Sequence, residues 1–196
     1  MLSSAERHYP MLMVTKAAGW TADDLDLLPD DGNRYEVVEG ELFVTPSPLL
    51  PHQAVSGALH ARLFDFVKAR RIGWAFAAPG DVHVNSKSRV LPDLFVVPRT
   101  TTRMPISWKD APTPILVVEI LSDSTAMRDL GAKRKLYNRA GVAEYWIVDW
   151  EQRSVRVIRR GEPDIVTDER IEWRPAGTAE SMVIDLPALF AEALDG

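Results

Sequence analysis

Two apolar segments of this chain each carry one carboxylate at a position that a buried β-strand would occupy. Asp93 stands directly before the apolar residues 94–97, and Glu119 interrupts the apolar run 115–121. A carboxylate in a strand that is buried on both faces is costly unless it is paired, protonated or bound to a cation. We therefore expect Asp93 and Glu119 on neighbouring strands, at a site that compensates their charges.

The composition favours one α/β domain and excludes several classes of protein. The chain has 196 residues, 46% of them hydrophobic, which suits one sizeable core better than two. It has no cysteine, which excludes disulfide frameworks and thiolate metal sites and fits a reducing compartment. No segment reaches the roughly 20 apolar residues of a membrane span, and no signal-peptide pattern is present, so we expect a cytoplasmic protein. The net charge of −5 argues against broad non-specific DNA binding by a monomer.

The order of the predicted elements indicates a mixed β-sheet flanked by helices. We expect residues 1–20 to be a lead-in and residues 21–196 to form one domain. Glu39-Gly40 predicts a hairpin turn, and apolar residues at helical spacing predict a helix over 52–68. Further strands are expected at 74–77, 81–84, 90–97, 115–121, 142–150 and 154–160.

Three other segments are predicted from turn and cap signals. The four prolines of residues 98–114 indicate a surface loop. Ser124 or Thr125 is expected to begin a helix that Gly141 ends. The rest of the chain is expected to be irregular up to a short apolar helix at 187–194.

Two acids and a nearby lysine are the residue types that metal-dependent phosphodiester hydrolysis requires. Without a cation between them, Asp93 and Glu119 would repel each other. Mg²⁺, or Mn²⁺ in its place, prefers oxygen ligands and keeps several waters, so two or three acids suffice. Such a cation can activate a water and stabilise the leaving oxygen, and a lysine can orient that water and offset phosphoryl charge.

Pro92-Asp93 followed by Glu119 in an apolar strand resembles the PD-(D/E)XK nuclease superfamily. More narrowly, residues 21–160 resemble the Uma-type restriction endonuclease family. The matching stretches are residues 35–42, Pro46-Ser47-Pro48 with His52, Pro92-Asp93, residues 118–122, Ser124-Thr125, Asp129, Lys133, Tyr137 and residues 140–149. The resemblance implies a restriction-endonuclease-like core, Mg²⁺-dependent cleavage of DNA, and homodimers.

The resemblance also assigns roles to individual residues. Asp93 and Glu119 would hold the metal; the alternative for each is a strand-end acid that caps a turn or pairs with an arginine. Glu36, on the first hairpin, is expected to lie near the site and to complete or orient the metal's ligands. Glu41 is the alternative third acid, and both glutamates can equally be solvent-facing strand residues. His52, at the predicted helix start, is either a phosphate or metal-shell contact or a polar surface residue.

The chain departs from the superfamily at the catalytic lysine. The usual lysine lies two residues after the second acid, where this chain has Leu121. The family's recurring helix lysine corresponds to Lys133, which shares a helix face with Asp129 and Tyr137, whereas Lys135 points about 200° away. We therefore predict that Lys133 positions the attacking water; the alternative is an ordinary ion pair with Asp129.

Two functions follow from these predictions. The first is a Mg²⁺-dependent endonuclease acting on DNA, although RNA has a chemically similar phosphodiester. The second, suggested by the acidic charge and by Leu121, is an inactive nuclease-fold module that binds DNA or assembles a dimer. Basic residues that could contact phosphates, or could form a solvated surface, are Lys68, Arg70, Arg71, Arg153, Arg156, Arg159 and Arg160.

Overall fold

The computed structural model of the protein describes residues 13–14, 18–100, 103–122 and 129–196. The strands are β1 (Met13–Val14), β2 (Arg34–Val38), β3 (Glu41–Thr45), β4 (Gly73–Ala77), β5 (Val82–Asn85), β6 (Ser88–Val90), β7 (Leu94–Pro98), β8 (Leu116–Ile120), β9 (Glu144–Asp149), β10 (Ser154–Arg159), β11 (Ile165–Thr167), β12 (Arg170–Trp173) and β13 (Met182–Asp185). The α-helices are α1 (Leu50–Arg70), α2 (Arg134–Ala140) and α3 (Leu186–Phe190). Short 3₁₀ turns span Ala22–Leu27 and Trp108–Asp110, and π-helical turns span Asp129–Lys133 and Ala191–Asp195.

A six-stranded sheet with the order β11-β10-β9-β8-β7-β4 forms the centre of the molecule. Its β8–β9 pair is parallel and its other pairs are antiparallel, so the sheet is mixed. Every residue of β8 is buried, as the continuous apolar pattern predicts for a central strand. The predicted mixed sheet flanked by helices is thus confirmed.

Helix α1 covers one face of this sheet. Val55, Leu59, Leu63 and Phe66 recur at intervals of three or four residues and are buried against that face. Pro51 is tolerated because it lies in the first turn, where a missing amide breaks no intrahelical bond. The helix is longer at both ends than the predicted range of 52–68.

The other face is covered by α2 and a five-stranded antiparallel sheet with the order β1-β3-β2-β6-β5. The predicted hairpin between β2 and β3 is confirmed, and its turn residues Glu39 and Gly40 have φ values of 52° and 87°. Gly141 ends α2 with a φ of 85°, as predicted. This face of the large sheet therefore lies beneath α2 and the hairpin that carries Glu36.

Three predictions about the elements were wrong. Residues 90–97 are not one strand: β6 and β7 belong to different sheets, because Pro92 lacks the amide that a continuous ladder needs. The C-terminal part is not irregular, since it contains β11, β12 and β13. Among described residues, the segment before Gly141 is a π-helical turn followed by α2 rather than one regular helix.

Some predictions fall on parts of the chain that the structure does not describe. Positions 124 and 125, the predicted helix start, lie outside the described residues, as does most of the predicted lead-in over 1–20. Within the described part, none of the helices combines the length and the apolar character that crossing a bilayer would require.

Candidate active site

The register of the large sheet brings Asp93 and Glu119 to facing positions. Leu94 of β7 lies opposite Val118 of β8, so extending this antiparallel register by one residue sets Asp93 opposite Glu119. The backbone amide of Ile120 donates to Asp93 Oδ2 at 2.8 Å, which ties the carboxylate to β8. Both acids are buried, with exposed fractions of 4% for Asp93 and 2% for Glu119. The structure therefore brings the two acids together in one buried site.

Asp93 accepts hydrogen bonds from three separate elements. Besides Ile120 of β8, Arg34 Nη1 of β2 donates to Oδ1 at 2.8 Å, and His52 Nε2 in the first turn of α1 lies 3.2 Å from Oδ2. Burial alone would raise the pKa of Asp93, but the hydrogen bond with His52 and the charge of Arg34 outweigh it and hold that pKa well below its usual range. Asp93 is therefore ionised at neutral pH.

Lys133 lies between the carboxylates of Glu119 and Glu36. Its Nζ is 2.8 Å from Oε1 of each glutamate and 3.6 Å from Asp129 Oδ1, and its side chain is 0% exposed. Glu36 Oε1 also accepts the backbone amide of Leu91 at 2.7 Å, just before the Pro92-Asp93 turn. One ammonium group thus holds together acids from β2, β8 and the π-helical turn.

The π-helical turn before α2 supplies both Lys133 and Asp129. Such turns are short and are frequent at functional sites, and this one spans Asp129–Lys133 with both of those side chains buried. One helical turn later, the Tyr137 hydroxyl donates to Glu119 Oε1 at 2.8 Å. Burial and the charge of Glu119 raise the pKa of Tyr137 well above its ordinary value, so Tyr137 remains a donor. Tyr145 fixes the turn by donating to the backbone oxygen of Asp129 at 3.1 Å.

The cluster holds more negative than positive charge. The buried carboxylates are those of Glu36, Asp93, Glu119 and Asp129, and the cations that face them are Lys133 and Arg34. With all six groups ionised, the excess is two negative charges. Burial, followed by the charges of Asp129, Asp93 and Glu36, raises the pKa of Glu119 to about 8 against the opposing effect of Lys133. A further cation is therefore electrostatically favoured here.

The donor atoms of the cluster fit a divalent cation held by two carboxylates. Lys133 and Tyr137 both contact Oε1 of Glu119 rather than Oε2, and Asp93 Oδ1 accepts only from Arg34 within the described chain. Mg²⁺ is commonly bound by one or two carboxylates and keeps its waters for the other positions. Across residues 13–14, 18–100, 103–122 and 129–196, no group of three or more His, Asp or Glu side chains is arranged as a metal site. The candidate metal ligands are therefore the two carboxylates of Asp93 and Glu119. In this structure Lys133 lies between Glu119 and Glu36.

The structure decides between several alternatives that the sequence left open. Glu36 is fully buried in the cluster, whereas Glu41 is exposed. Lys133 faces the acids, whereas Lys135 is exposed on α2. His52 is buried beside Asp93 rather than lying on the surface. These positions agree with the predicted site, while the catalytic and metal-binding roles stay predictions.

Arg34 is the part of the site that the sequence did not indicate. Its guanidinium contacts both Asp93 Oδ1 and the backbone oxygen of Leu91, and its side chain is 20% exposed. Arg34 lies 59 residues before Asp93, and no local pattern distinguishes it from the other basic residues. The one signal that could have drawn attention to Arg34 is that it lies two residues before Glu36, an acid of the cluster.

The predicted basic surface is largely occupied by ion pairs. Pairs with acids are formed by Arg70 with Glu180, Arg153 with Asp195, Arg156 with Asp164, and Arg159 with Glu144. These contacts use guanidinium donors that a phosphate would otherwise take, so they favour the interpretation of a solvated surface.

Comparison with known proteins gives two matches that agree with this architecture. Residues 22–191 match the model of the Uma2 family, described as "Putative restriction endonuclease". The chain is also similar to the crystal structure of "a putative nuclease belonging to DUF820" from Anabaena variabilis, with 22% identity and a TM-score of 0.75 over 89% of this chain and 99% of that one. No curated protein matched. The shared fold supports the predicted restriction-endonuclease-like core, and the chain belongs to the Uma2 family.

Proposed function

We propose that the protein is a metal-dependent endonuclease that hydrolyses phosphodiester bonds of DNA. Membership of the Uma2 family and the likeness to the Anabaena variabilis structure support a nuclease-like function. The observation that carries the finer proposal is the buried cluster itself, in which Asp93, Glu119 and Glu36 surround Lys133 with an excess of negative charge. Such a cluster is unfavourable for folding alone, and it suits a site that takes up a divalent cation.

Each residue of the cluster has a chemical task under this proposal. Asp93 and Glu119 would hold Mg²⁺ or Mn²⁺, which when bound lowers the pKa of a ligated water and stabilises the leaving oxygen. Lys133, held beside Glu119, orients the attacking water and offsets charge that develops on the phosphoryl group. Glu36 fixes the Lys133 ammonium and is also a candidate third metal ligand. Tyr137 holds the Glu119 carboxylate in position.

The test replaces the two acids by their amides and measures cleavage of supercoiled plasmid with Mg²⁺, with Mn²⁺ and with EDTA. We expect Asp93→Asn and Glu119→Gln to abolish metal-dependent cleavage while circular dichroism spectra remain native. Glu144→Gln is the matched control, because Glu144 is a buried acid on the adjacent strand β9 that pairs instead with Arg159 and Trp146. Unchanged cleavage by both amide variants would remove Asp93 and Glu119 from the mechanism.

A second candidate function is an inactive nuclease-fold module that binds DNA. The specific observation in its favour is that Lys133 is fully buried between Glu119 and Glu36, while Leu121 stands at the superfamily's usual lysine position. Calorimetric titration with Mn²⁺ separates the two functions. Binding of Mn²⁺ that disappears in Glu119→Gln favours the enzyme, whereas DNA affinity without metal binding favours the module. The salt dependence of that DNA affinity counts the phosphates contacted.

The proposal also includes DNA as the substrate and a homodimer as the assembly, and each has its own test. Cleavage of a single-stranded RNA in place of the plasmid would redirect the assignment to RNA. Assembly as a homodimer stays a prediction, supported by the edge strand β11, whose Ile165 and Val166 are 48% and 57% exposed. Light scattering of the purified protein would measure the assembly, and fractionation of cells would test the predicted cytoplasmic location.

A further inference from the structure

Arg34 is the half-buried basic residue of the site to which the proposed mechanism gives no task. It begins β2, and its guanidinium bridges Asp93 Oδ1, at 2.8 Å from Nη1, and the backbone oxygen of Leu91 through Nη2. Its Nε is buried and has no hydrogen-bond partner within the described part of the chain. A guanidinium in this setting remains protonated, so Arg34 brings a full positive charge to the Asp93 carboxylate.

The hydrogen bonds of Asp93 determine where a cation could reach it. A carboxylate offers about four acceptor directions, two on each oxygen. Oδ2 already faces two partners, the amide of Ile120 and Nε2 of His52. Oδ1 has one partner, Arg34. The acceptor direction that is left on Asp93 therefore lies on the oxygen that Arg34 holds.

We propose that Arg34 is a positioning residue that sets the metal affinity of the site, because it competes with the divalent cation for Asp93 Oδ1. The inference rests on the proposed metal dependence. In the metal-free protein, Arg34 stabilises the ionised carboxylate and fixes the Leu91–Asp93 segment. When a divalent cation binds Asp93 Oδ1, that oxygen contacts both the cation and the Arg34 guanidinium. The two positive charges repel each other, and this repulsion weakens metal binding.

The charge of Arg34 makes a prediction that a purely structural role does not make. If Arg34 only holds the segment before β7, its loss should loosen Asp93 and weaken metal binding. If it competes with the cation, its loss should strengthen metal binding even though the protein becomes less stable. Charges of one and two units about 6 Å apart repel enough, even at the dielectric constant of water, to change an affinity about tenfold.

The chain contains a matched control in Arg89. Arg89 lies on β6, the neighbour of β2, and its side chain is 15% exposed, close to the value for Arg34. It also bridges acceptors from different segments, namely Asp81, Asp26 and the backbone oxygen of Ala22, outside the cluster of buried acids. The Arg89→Gln variant therefore loses a comparable ion-paired guanidinium without changing the charge of the site.

The experiment compares Mn²⁺ titrations of the wild type, Arg34→Gln and Arg89→Gln by isothermal calorimetry, with circular dichroism as the test of folding. We expect the dissociation constant of Arg34→Gln to be about tenfold lower than that of the wild type, and that of Arg89→Gln to be unchanged. An equal or higher dissociation constant for folded Arg34→Gln would overturn the inference. If neither the wild type nor Arg34→Gln binds Mn²⁺, the metal dependence is overturned together with it.

A second measurement uses the wild type, so that it does not depend on the folding of a variant. Diamagnetic Mg²⁺ is added while the arginine Nε–H resonances are followed by NMR. We expect the Arg34 resonance to shift on the same curve as a calorimetric titration of the wild type with Mg²⁺, and the Arg89 resonance to stay in place. Binding of Mg²⁺ without a shift of the Arg34 signal would overturn the competition at Asp93, while leaving the metal dependence intact.

Discussion

Replacement of Lys133 by methionine tests whether the buried cluster depends on its central ammonium. Lys133 Nζ lies 2.8 Å from both Glu119 Oε1 and Glu36 Oε1, and the side chain has no exposure to solvent. Methionine keeps an unbranched apolar chain, so the substitution removes the charge and changes the packing little. Removing one partner of a buried ion pair typically lowers the free energy of unfolding by about 3–5 kcal/mol. We expect a loss of that size for Lys133→Met in the metal-free protein.

The size of this loss should depend on pH in a defined direction. Lys133 lowers the pKa of Glu119, whereas burial and the neighbouring acids raise it, with a net value of about 8. Without the ammonium, the pKa of Glu119 rises further and the carboxyl group stays protonated over a wider range. A protonated acid leaves no unpaired buried charge, so the stability difference should shrink from about pH 9, where only the wild type has released the Glu119 proton, to about pH 6, where both native states keep it.

Urea unfolding in EDTA at these two pH values measures both effects. The control is Lys135→Met, two residues along the chain, where the side chain is exposed and the change should stay within about 0.5 kcal/mol. A Lys133→Met protein that is as stable as Lys135→Met at the higher pH would refute the reasoning. So would a stability loss that grows as the pH falls.

Four other substitutions have defined outcomes. Tyr137→Phe removes a donor to Glu119 Oε1 and should lower the free energy of unfolding by about 1.5–3 kcal/mol, measured in urea. Gly73→Ala should destabilise the protein strongly, because the added Cβ would lie 2.1 Å from Val97 O. A Cβ added at Gly131 meets nothing within 4 Å, so Gly131→Ala should raise the free energy of unfolding by about 0.5–1 kcal/mol in the same assay. In EDTA, the raised pKa of Glu119 means that the native state keeps a proton which the unfolded state releases. The free energy of unfolding should therefore fall as the pH rises from about 5 to about 8, and Glu119→Gln should flatten that slope.

The positions of the two acids could be predicted because strand patterns constrain them. An apolar run with one carboxylate identifies a buried strand, and β7 and β8 prove to be adjacent in antiparallel register. The C-terminal strands β12 and β13 were missed because each has only four residues, of which two point inward. Two apolar positions in alternation, such as Ile171 and Trp173, are too few to separate a strand from irregular chain.

The partners of the acids could be predicted only in part. Spacing along a helix placed Asp129, Lys133 and Tyr137 on one face, and all three do face Glu119 or its neighbours. No sequence pattern indicates the π-helical turn that carries Asp129 and Lys133. Arg34 could not be identified because its contact with Asp93 depends on how the small sheet docks against the large one, which is a property of the folded chain.

The lysine shows why spatial position matters more than sequence spacing at such a site. Leu121, two residues after Glu119 on the chain, packs as a partly buried residue against the apolar cluster beneath α2. The Lys133 ammonium instead reaches Glu119 Oε1 from the neighbouring π-helical turn. Because a charged group acts through its distance from the reacting atoms, a lysine on either element can serve the same acid. The combination of an apolar residue at 121 and a buried ammonium from 133 is therefore a coherent arrangement, and loss of cleavage in Lys133→Met, with cleavage retained in Lys135→Met, is the outcome that it predicts.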